Sequence, residues 1–155
     1  MIEIRPARKE IEFPMIKRLF EDLKYRIDFE SIELYNWMVV VERGELIGAA
    51  SLLHIENVGL IECIFINKNR RNENLGEGLV KSLLNYADIK GISWVISSTK
   101  ELNSFYNKIG FRKASVESAL AYKEIFAKKD IDLNNIMEVK LPDYFATVCK
   151  SSYRT

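Results

Sequence analysis

Two glycines, Gly76 and Gly78, stand in the opening turn of a segment that otherwise reads as a good helix. Each costs roughly 1 kcal/mol of helix propensity relative to alanine, so the pair calls for a reason. Bare Cα positions at a helix start let a ligand reach the free N–H groups there, and the positive end of the helix dipole favours an anion such as phosphate. Just upstream, Asn72 and Asn74 tolerate left-handed backbone, which lets successive amides converge on one anion. Lys68, Arg70 and Arg71 add positive charge to the same loop. Other phosphate loops do not fit. A P-loop needs Gly-Lys-Ser/Thr opening the helix, where this chain has Gly78-Leu79-Val80. A dinucleotide fingerprint needs a third glycine, where this chain has Lys81.

Ile64-Phe65-Ile66 and then Asn72-Glu73-Asn74-Leu75-Gly76-Glu77-Gly78 resemble the cofactor-binding motif of GNAT acetyltransferases, Gln/Arg-x-x-Gly-x-Gly/Ala after a strand. Phe105-Tyr106-Asn107-Lys108-Ile109-Gly110-Phe111 resembles the same family's later FYxKxGF motif. The motifs come in the family's order and separation, and the flanking strands and helices match from about residue 2 to 115. The Glu62-Cys63 strand context and a long insert between Phe111 and a last strand at Ile136 are similar to the N-acetylglutamate-synthase-like branch.

The resemblance implies an α/β (α+β) fold: a strongly twisted mixed sheet of about six to seven strands flanked by helices, splayed between the fourth and fifth strands. It implies acetyl-CoA as co-substrate. The strand Ile64-Phe65-Ile66 would hold the pantetheine arm, through the backbones of Ile64 and Ile66. Arg71, Asn72, Glu73, Asn74, Leu75, Gly76, Glu77 and Gly78 would cradle the pyrophosphate, with Lys68, Arg70 and Arg71 meeting the outer phosphates as point charges. The chain departs from the family at two positions. Asn74 stands where the family has Gly, and is an acceptable left-handed substitute. Glu73 stands where it has Gln or Arg, and a carboxylate repels a pyrophosphate unless it turns to solvent. On that ground Glu73→Gln is expected to tighten binding.

The family's chemistry is direct attack by an amine on a thioester, which needs a base, a donor for the developing oxyanion and an acid near the departing sulfur. By resemblance Tyr106 is the acid and the N–H of Ile66 the oxyanion donor, while Glu62, with the strand parity of Ile64 and Ile66, is the base directly or through water. Each has a plainer reading: Tyr106 as a core ring, Glu62 as a salt-bridged strand carboxylate. His54 at a strand end reads as a surface or hydrogen-bonded residue, and Trp37 and Trp94 as core.

The elements that must position these residues are readable in part. Ile2 and Ile4 alternate with polar neighbours, as in a short half-buried strand. From Pro14, apolar residues at Met15, Ile16, Leu19, Phe20 and Leu23 share one helical face, and a short helix is expected over Ser31 to Tyr35. Trp37 to Val41 and Glu45 to His54 read as a hairpin turned at Glu42-Arg43-Gly44, followed by a strand from Val58 to Ile66. Leu75 to Ala87 forms a helical stripe ended near Gly91, and Ile92 to Ile96 a buried strand. Ser98 and Glu101 fit a capping box for a helix through Tyr106 that stops at Gly110. Ala119 to Lys128 reads as helix, Ile136 to Leu141 as a final strand, and 142–155 as a tail or docking helix. The acceptor pocket falls to Ile27 to Trp37 and the region after Phe111.

At 155 residues, 48% of them hydrophobic, the chain fits a single acetyltransferase domain spanning 1–155. With 23 basic and 22 acidic residues it has no net field for nucleic acid or an anionic membrane. Cys63 and Cys149 make neither a disulfide framework nor a metal spacing, so plain thiols and no metal are expected. With no apolar leader and no run of roughly 20 apolar residues, a cytoplasmic protein is expected. The acceptor is then the amine of a small molecule, amino acid or protein, and a homodimer is compatible with the sequence. Two readings from other classes stand beside the enzyme. One is a non-catalytic acyl-CoA-binding regulatory module, and the other an interaction domain that uses the tail from Pro142.

Overall fold

The computed structural model describes residues 1–22 and 35–145. Residues 23–34, which include most of the expected helix at Ser31 to Tyr35 and much of the expected acceptor segment, lie outside the described residues, as does the tail from 146 onward. The strands β1 (Ile2–Pro6), β2 (Asn36–Glu42), β3 (Glu45–Ile55), β4 (Val58–Ile66), β5 (Trp94–Ser97), β6 (Arg112–Lys113) and β7 (Met137–Lys140) form one seven-stranded sheet in the order β1-β2-β3-β4-β5-β7-β6. The sheet is mixed. β1–β2, β2–β3, β5–β7 and β6–β7 are antiparallel, whereas β4 and β5 run parallel. The described residues also include helices α1 (Glu12–Asp22), α2 (Leu75–Ile89), α3 (Asn103–Lys108) and α4 (Val116–Ile125). By internal contacts the chain divides into two compact units, Met1–Leu53 with Cys63–Leu83, and His54–Glu62 with Leu84–Thr155.

In the first unit, Arg43 (φ 52°) and Gly44 (φ 79°) both take left-handed backbone, the requirement of a two-residue hairpin turn whose twist suits the flanking strands. The apolar stripe of α1 buries Ile16 and Phe20 completely, against Trp37, Val39, Val41 and Ala49. Phe20 lies 5.7 Å from the rings of both Trp37 and Phe65, edge-on to the latter. The helix begins at Glu12, ahead of the Pro14 start expected from the pattern, because the Glu12 carboxylate anchors its first turn. Arg5 holds that carboxylate with two bonds, Nη1 to Oε1 at 2.6 Å and Nη2 to Oε2 at 3.1 Å, and the Arg8 N–H donates to Oε1 at 2.7 Å. This forked arginine pairing ties β1 to α1 and holds the Glu12 carboxyl below its usual range, chiefly through the Arg5 hydrogen bonds.

In the second unit the parallel β4–β5 pairing is short. It runs from Val58–Trp94 to Leu60–Ile96, and β4 itself continues to Ile66. β5 begins at Trp94 instead of Ile92, since Gly91 (φ 82°) closes α2 and the N–H groups of Ser93 and Trp94 both turn to the Asn57 carbonyl. The Ser98/Glu101 capping box is not formed. A 3-10 turn at Lys100–Leu102 precedes α3 with no side-chain cap, and Ser98 Oγ instead accepts from the Asp132 N–H at 2.9 Å. α4 starts at Val116, ahead of the expected Ala119, because the Ser115 hydroxyl accepts from the Ser118 N–H at 3.1 Å and caps it. The buried Glu138 carboxylate on β7 accepts from Tyr122 of α4 at 2.9 Å, and burial followed by that bond pushes the Tyr122 phenol well above its usual range. After Pro142, Tyr144 is buried and its hydroxyl donates to the Ile109 carbonyl at 3.0 Å.

Candidate active site

Between β4 and α2 the chain forms a 3-10 turn, Lys68–Glu73, in which no residue is buried. It is therefore held by polar contacts. The Asn67 N–H donates to the Ile47 carbonyl at 2.8 Å, the Asn67 side chain accepts from the Asn69 N–H at 3.3 Å, and its carbonyl accepts from the Arg70 N–H at 2.9 Å. Asn74 closes the turn in left-handed backbone, φ 58° and ψ 23°. This is the conformation expected from the family's preference for Gly at that position, here met by Asn.

α2 opens immediately after Asn74. Its first intrahelical bond runs from the Gly78 N–H to the Asn74 carbonyl at 3.2 Å. Among the described residues, the amides of Leu75, Gly76 and Glu77 have no protein acceptor, as the geometry of a helix start requires. These three donors stand at the positive end of a 15-residue helix, where open amides and the helix dipole favour an anion. The Gly78 N–H is already used within the helix. A Cβ there would come 3.0 Å from Ile4 Cδ1, so its lack of a side chain also serves packing. The Glu77 carboxylate turns to Lys81 at 3.0 Å, one helical turn on.

The charges of the loop sort unequally. Arg70 is held by two carboxylates, Glu42 Oε2 at 2.7 Å and Glu73 through Nε at 2.5 Å and Nη2 at 3.1 Å. Glu73, whose charge seemed opposed to a pyrophosphate, is thus paired, and the Arg70 bonds hold both the Glu42 and Glu73 carboxyls below their usual range. Arg70 in turn is engaged by these two protein partners. Arg71 spends only Nε, on the Ile66 carbonyl at 3.1 Å, and its terminal nitrogens have no hydrogen-bond acceptor among the described residues. Asn72 and Lys68 are exposed.

On the strand before the loop, Ile64 and Ile66 are half-buried, and the Phe65 ring turns into the core against Phe20, so Phe65 has only its backbone to offer a ligand. One contributor escaped the sequence reading. A Cβ on Gly48 of β3 would fall 2.5 Å from Ile66 Cδ1 and 2.7 Å from the Phe65 carbonyl, so Gly48 alone lets this end of β4 lie so close. The signal was a glycine inside a β-rich run.

The second unit carries the two candidate catalytic residues. Glu62 is exposed on β4 and pairs through Oε1 with Lys129 Nζ at 3.1 Å. Tyr106 is fully buried, its ring 5.2 Å from Phe105 and 4.8 Å from Phe111. Around α3 lies a polar network that the motif reading missed. Asn103 Nδ2 donates to Asn135 Oδ1 at 3.1 Å, and Asn135 Nδ2 donates to Asp132 Oδ2 at 2.5 Å. The buried Asn103 Oδ1 and Ser97 Oγ have no hydrogen-bond partner among the described residues. The insert between α4 and β7 thereby fixes the start of the helix that bears Tyr106. His54 is exposed and bonds the Glu56 carbonyl at 2.5 Å, as a surface residue would.

The family model for the acetyltransferase (GNAT) domain matches residues 11–121, a span that includes both motifs. Solved structures share the fold. A GNAT-family acetyltransferase from Staphylococcus aureus Mu50 is 18% identical, with 91% of this chain and 99% of that chain covered at a TM-score of 0.68. Rv2747 from Mycobacterium tuberculosis, solved with CoA, is 19% identical over 90% of this chain and 99% of that chain, at a TM-score of 0.69. N-acetylglutamate synthase from Neisseria gonorrhoeae, solved with coenzyme A and N-acetyl-glutamate, is 20% identical over 91% of this chain but only 35% of that chain, at a TM-score of 0.70. No curated protein sequence matches the chain significantly. The chain belongs to the GNAT acetyltransferase family. Its activity is acetyl-CoA-dependent N-acetyl transfer. No helix among the described residues is long and apolar enough to cross a membrane.

Proposed function

We propose that this protein acetylates the amine of a small molecule or amino acid in the cytoplasm, that its pyrophosphate site is the run from Arg71 to Gly78, and that Glu62 and Tyr106 move the protons. The observation that carries the binding half is the left-handed Asn74 followed by the open amides of Leu75, Gly76 and Glu77. Acetyl-CoA supplies the acetyl thioester. Toward it, the three amides and the free terminal nitrogens of Arg71 take the pyrophosphate charge, and the backbones of Ile64 and Ile66 meet the pantetheine arm. Glu62, directly or through water, accepts the proton that the acceptor amine loses as its nitrogen bonds the acetyl carbon. The Ile66 N–H donates to the carbonyl oxygen as negative charge builds there. Tyr106 gives its proton to the sulfur as the carbon–sulfur bond breaks. An amino-acid acceptor is favoured by the fold shared with N-acetylglutamate synthase, whose structure holds an acetylated amino acid.

A ligand that binds only the folded state adds about 2.7 kcal/mol at 100 times its dissociation constant. Millimolar acetyl-CoA, and free CoA almost equally, should therefore raise the melting temperature by several degrees. Thiol release from acetyl-CoA should then appear with at least one member of an amine panel led by glutamate and other amino acids. An unmoved melting temperature with no calorimetric heat would sink the reading. Stabilisation by CoA without release on any amine would favour the regulatory module instead.

A further inference from the structure

We infer that Glu42, at the end of β2, is a positioning residue for the cofactor loop, acting through Arg70, and that Arg70 is a brace and not a phosphate ligand. The inference rests on the CoA-binding reading above and adds how that site is held in shape. Glu42 and Arg70 lie 28 positions apart in sequence, yet Arg70 Nη2 reaches Glu42 Oε2 at 2.7 Å while the same guanidinium grips Glu73 through two nitrogens. One planar fork therefore joins the end of a strand to the last residue of the 3-10 turn, immediately before the left-handed Asn74.

The loop needs such a device. It buries no residue, so apolar packing cannot set its shape, and its other ties are the Asn67 contacts at its opposite end and the Arg71 Nε bond to the Ile66 carbonyl. Without the Arg70 fork, nothing polar among the described residues holds the Glu73 side chain. The three side chains carry one positive and two negative charges, a net charge of −1, so the cluster contributes no attraction for a phosphate. Its value lies in preorganisation: a loop already held in its binding shape loses less freedom when a ligand arrives. Ion pairs that stay partly open to solvent, as these do, add little to global stability, so the effect should be read in affinity and local opening more than in melting temperature.

The experiment turns on a sign. If Arg70 were a phosphate-binding cation restrained by its carboxylates, Glu42→Gln would release it and CoA would bind more tightly. As a brace, Glu42→Gln should weaken CoA binding by roughly 3- to 10-fold in titration calorimetry. Arg70→Gln should match it, and the double variant should be no worse than either single one, since both remove the same link. Glu73→Gln should also weaken binding, the reverse of what its charge alone suggests. Independently of any ligand, hydrogen exchange at the amides of 68–76 should quicken in Glu42→Gln while circular dichroism and the rest of the exchange pattern hold. Unchanged exchange in that loop, or CoA affinity equal to or above wild type in Glu42→Gln, overturns the brace and leaves the CoA reading standing. A wild-type protein that binds no CoA overturns the CoA reading, and the exchange experiment still decides the brace.

Discussion

The cofactor loop and the helix that bears Tyr106 both follow a strand, and both were found by short motifs, yet they are built in opposite ways. From Asn67 to Gly78 the candidate working groups are backbone amides, the side chains are mostly exposed, and shape comes from a left-handed residue and ion pairs. At α3 the candidate working group is one phenol whose ring is wholly buried against Phe105 and Phe111. Where the backbone does the binding, side chains can depart from the family pattern as long as geometry survives. Asn replaces Gly at 74 and Glu replaces Gln or Arg at 73 on those terms. Where a side chain does the chemistry, packing and reactivity make demands on the same residue.

Tyr106→Phe tests the second half of that contrast and carries the largest expected effect. The ring and its packing remain, and only the proton donor is lost. A positioned acid is typically worth about 100- to 10,000-fold, so kcat should fall by that order with substrate affinities little changed. If the hydroxyl serves only the core, the melting temperature drops and kcat stays near wild type. The loss should also shrink as pH rises, because the departing thiolate then needs the acid less. Undiminished turnover at neutral pH, with chemistry shown to limit the rate, removes Tyr106 as the acid.

Gly76→Val tests the first half. A β-branched side chain beside the open amides would bar a pyrophosphate while leaving the helix formed. Losing even one or two charge-assisted hydrogen bonds amounts to about 3 kcal/mol, or roughly 100-fold in affinity. Calorimetry with CoA, beside a thermal melt without it, separates binding from folding. Equal dissociation constants for variant and wild type would take the helix start out of the site.

The contrast also explains what could be read in advance. Strands and the long helix were legible because burial stamps a period on the sequence: Ile16 and Phe20 on α1, Leu79 and Leu83 on α2, and the Arg43-Gly44 turn between β2 and β3. The left-handed turn at Asn74, before the start of α2, was legible because asparagine reports backbone conformation directly. Contacts made across the chain left no such trace. Nothing local marks Glu42 as the partner of Arg70, Ser98 as the acceptor for Asp132 instead of a cap for α3, or Gly48 as the clearance under Ile66. The motif position gives Glu73 only as a carboxylate beside the helix start; its pairing with Arg70 is visible only in the structure.

The smallest expected effect isolates the left-handed residue on which the loop turns. Asn74 holds φ 58°, where a side chain with a Cβ crowds the following carbonyl by roughly 1–2 kcal/mol, and where asparagine is better tolerated than most residues. Asn74→Ala should cost about 1 kcal/mol of stability in chemical denaturation, and Asn74→Gly about zero, since glycine relieves the crowding but gains freedom when unfolded. The same pair should separate further in CoA affinity. Alanine can escape its strain by letting the turn relax, which would tilt the amides of Leu75 and Gly76 away from a common target, whereas glycine keeps them in place. The ranking Gly at or near Asn, with Ala weaker in both measurements, ties stability and binding to one backbone angle. If alanine lowers stability but binds CoA as well as asparagine does, the left-handed turn is a feature of folding alone. The amides would then owe their alignment to α2 itself.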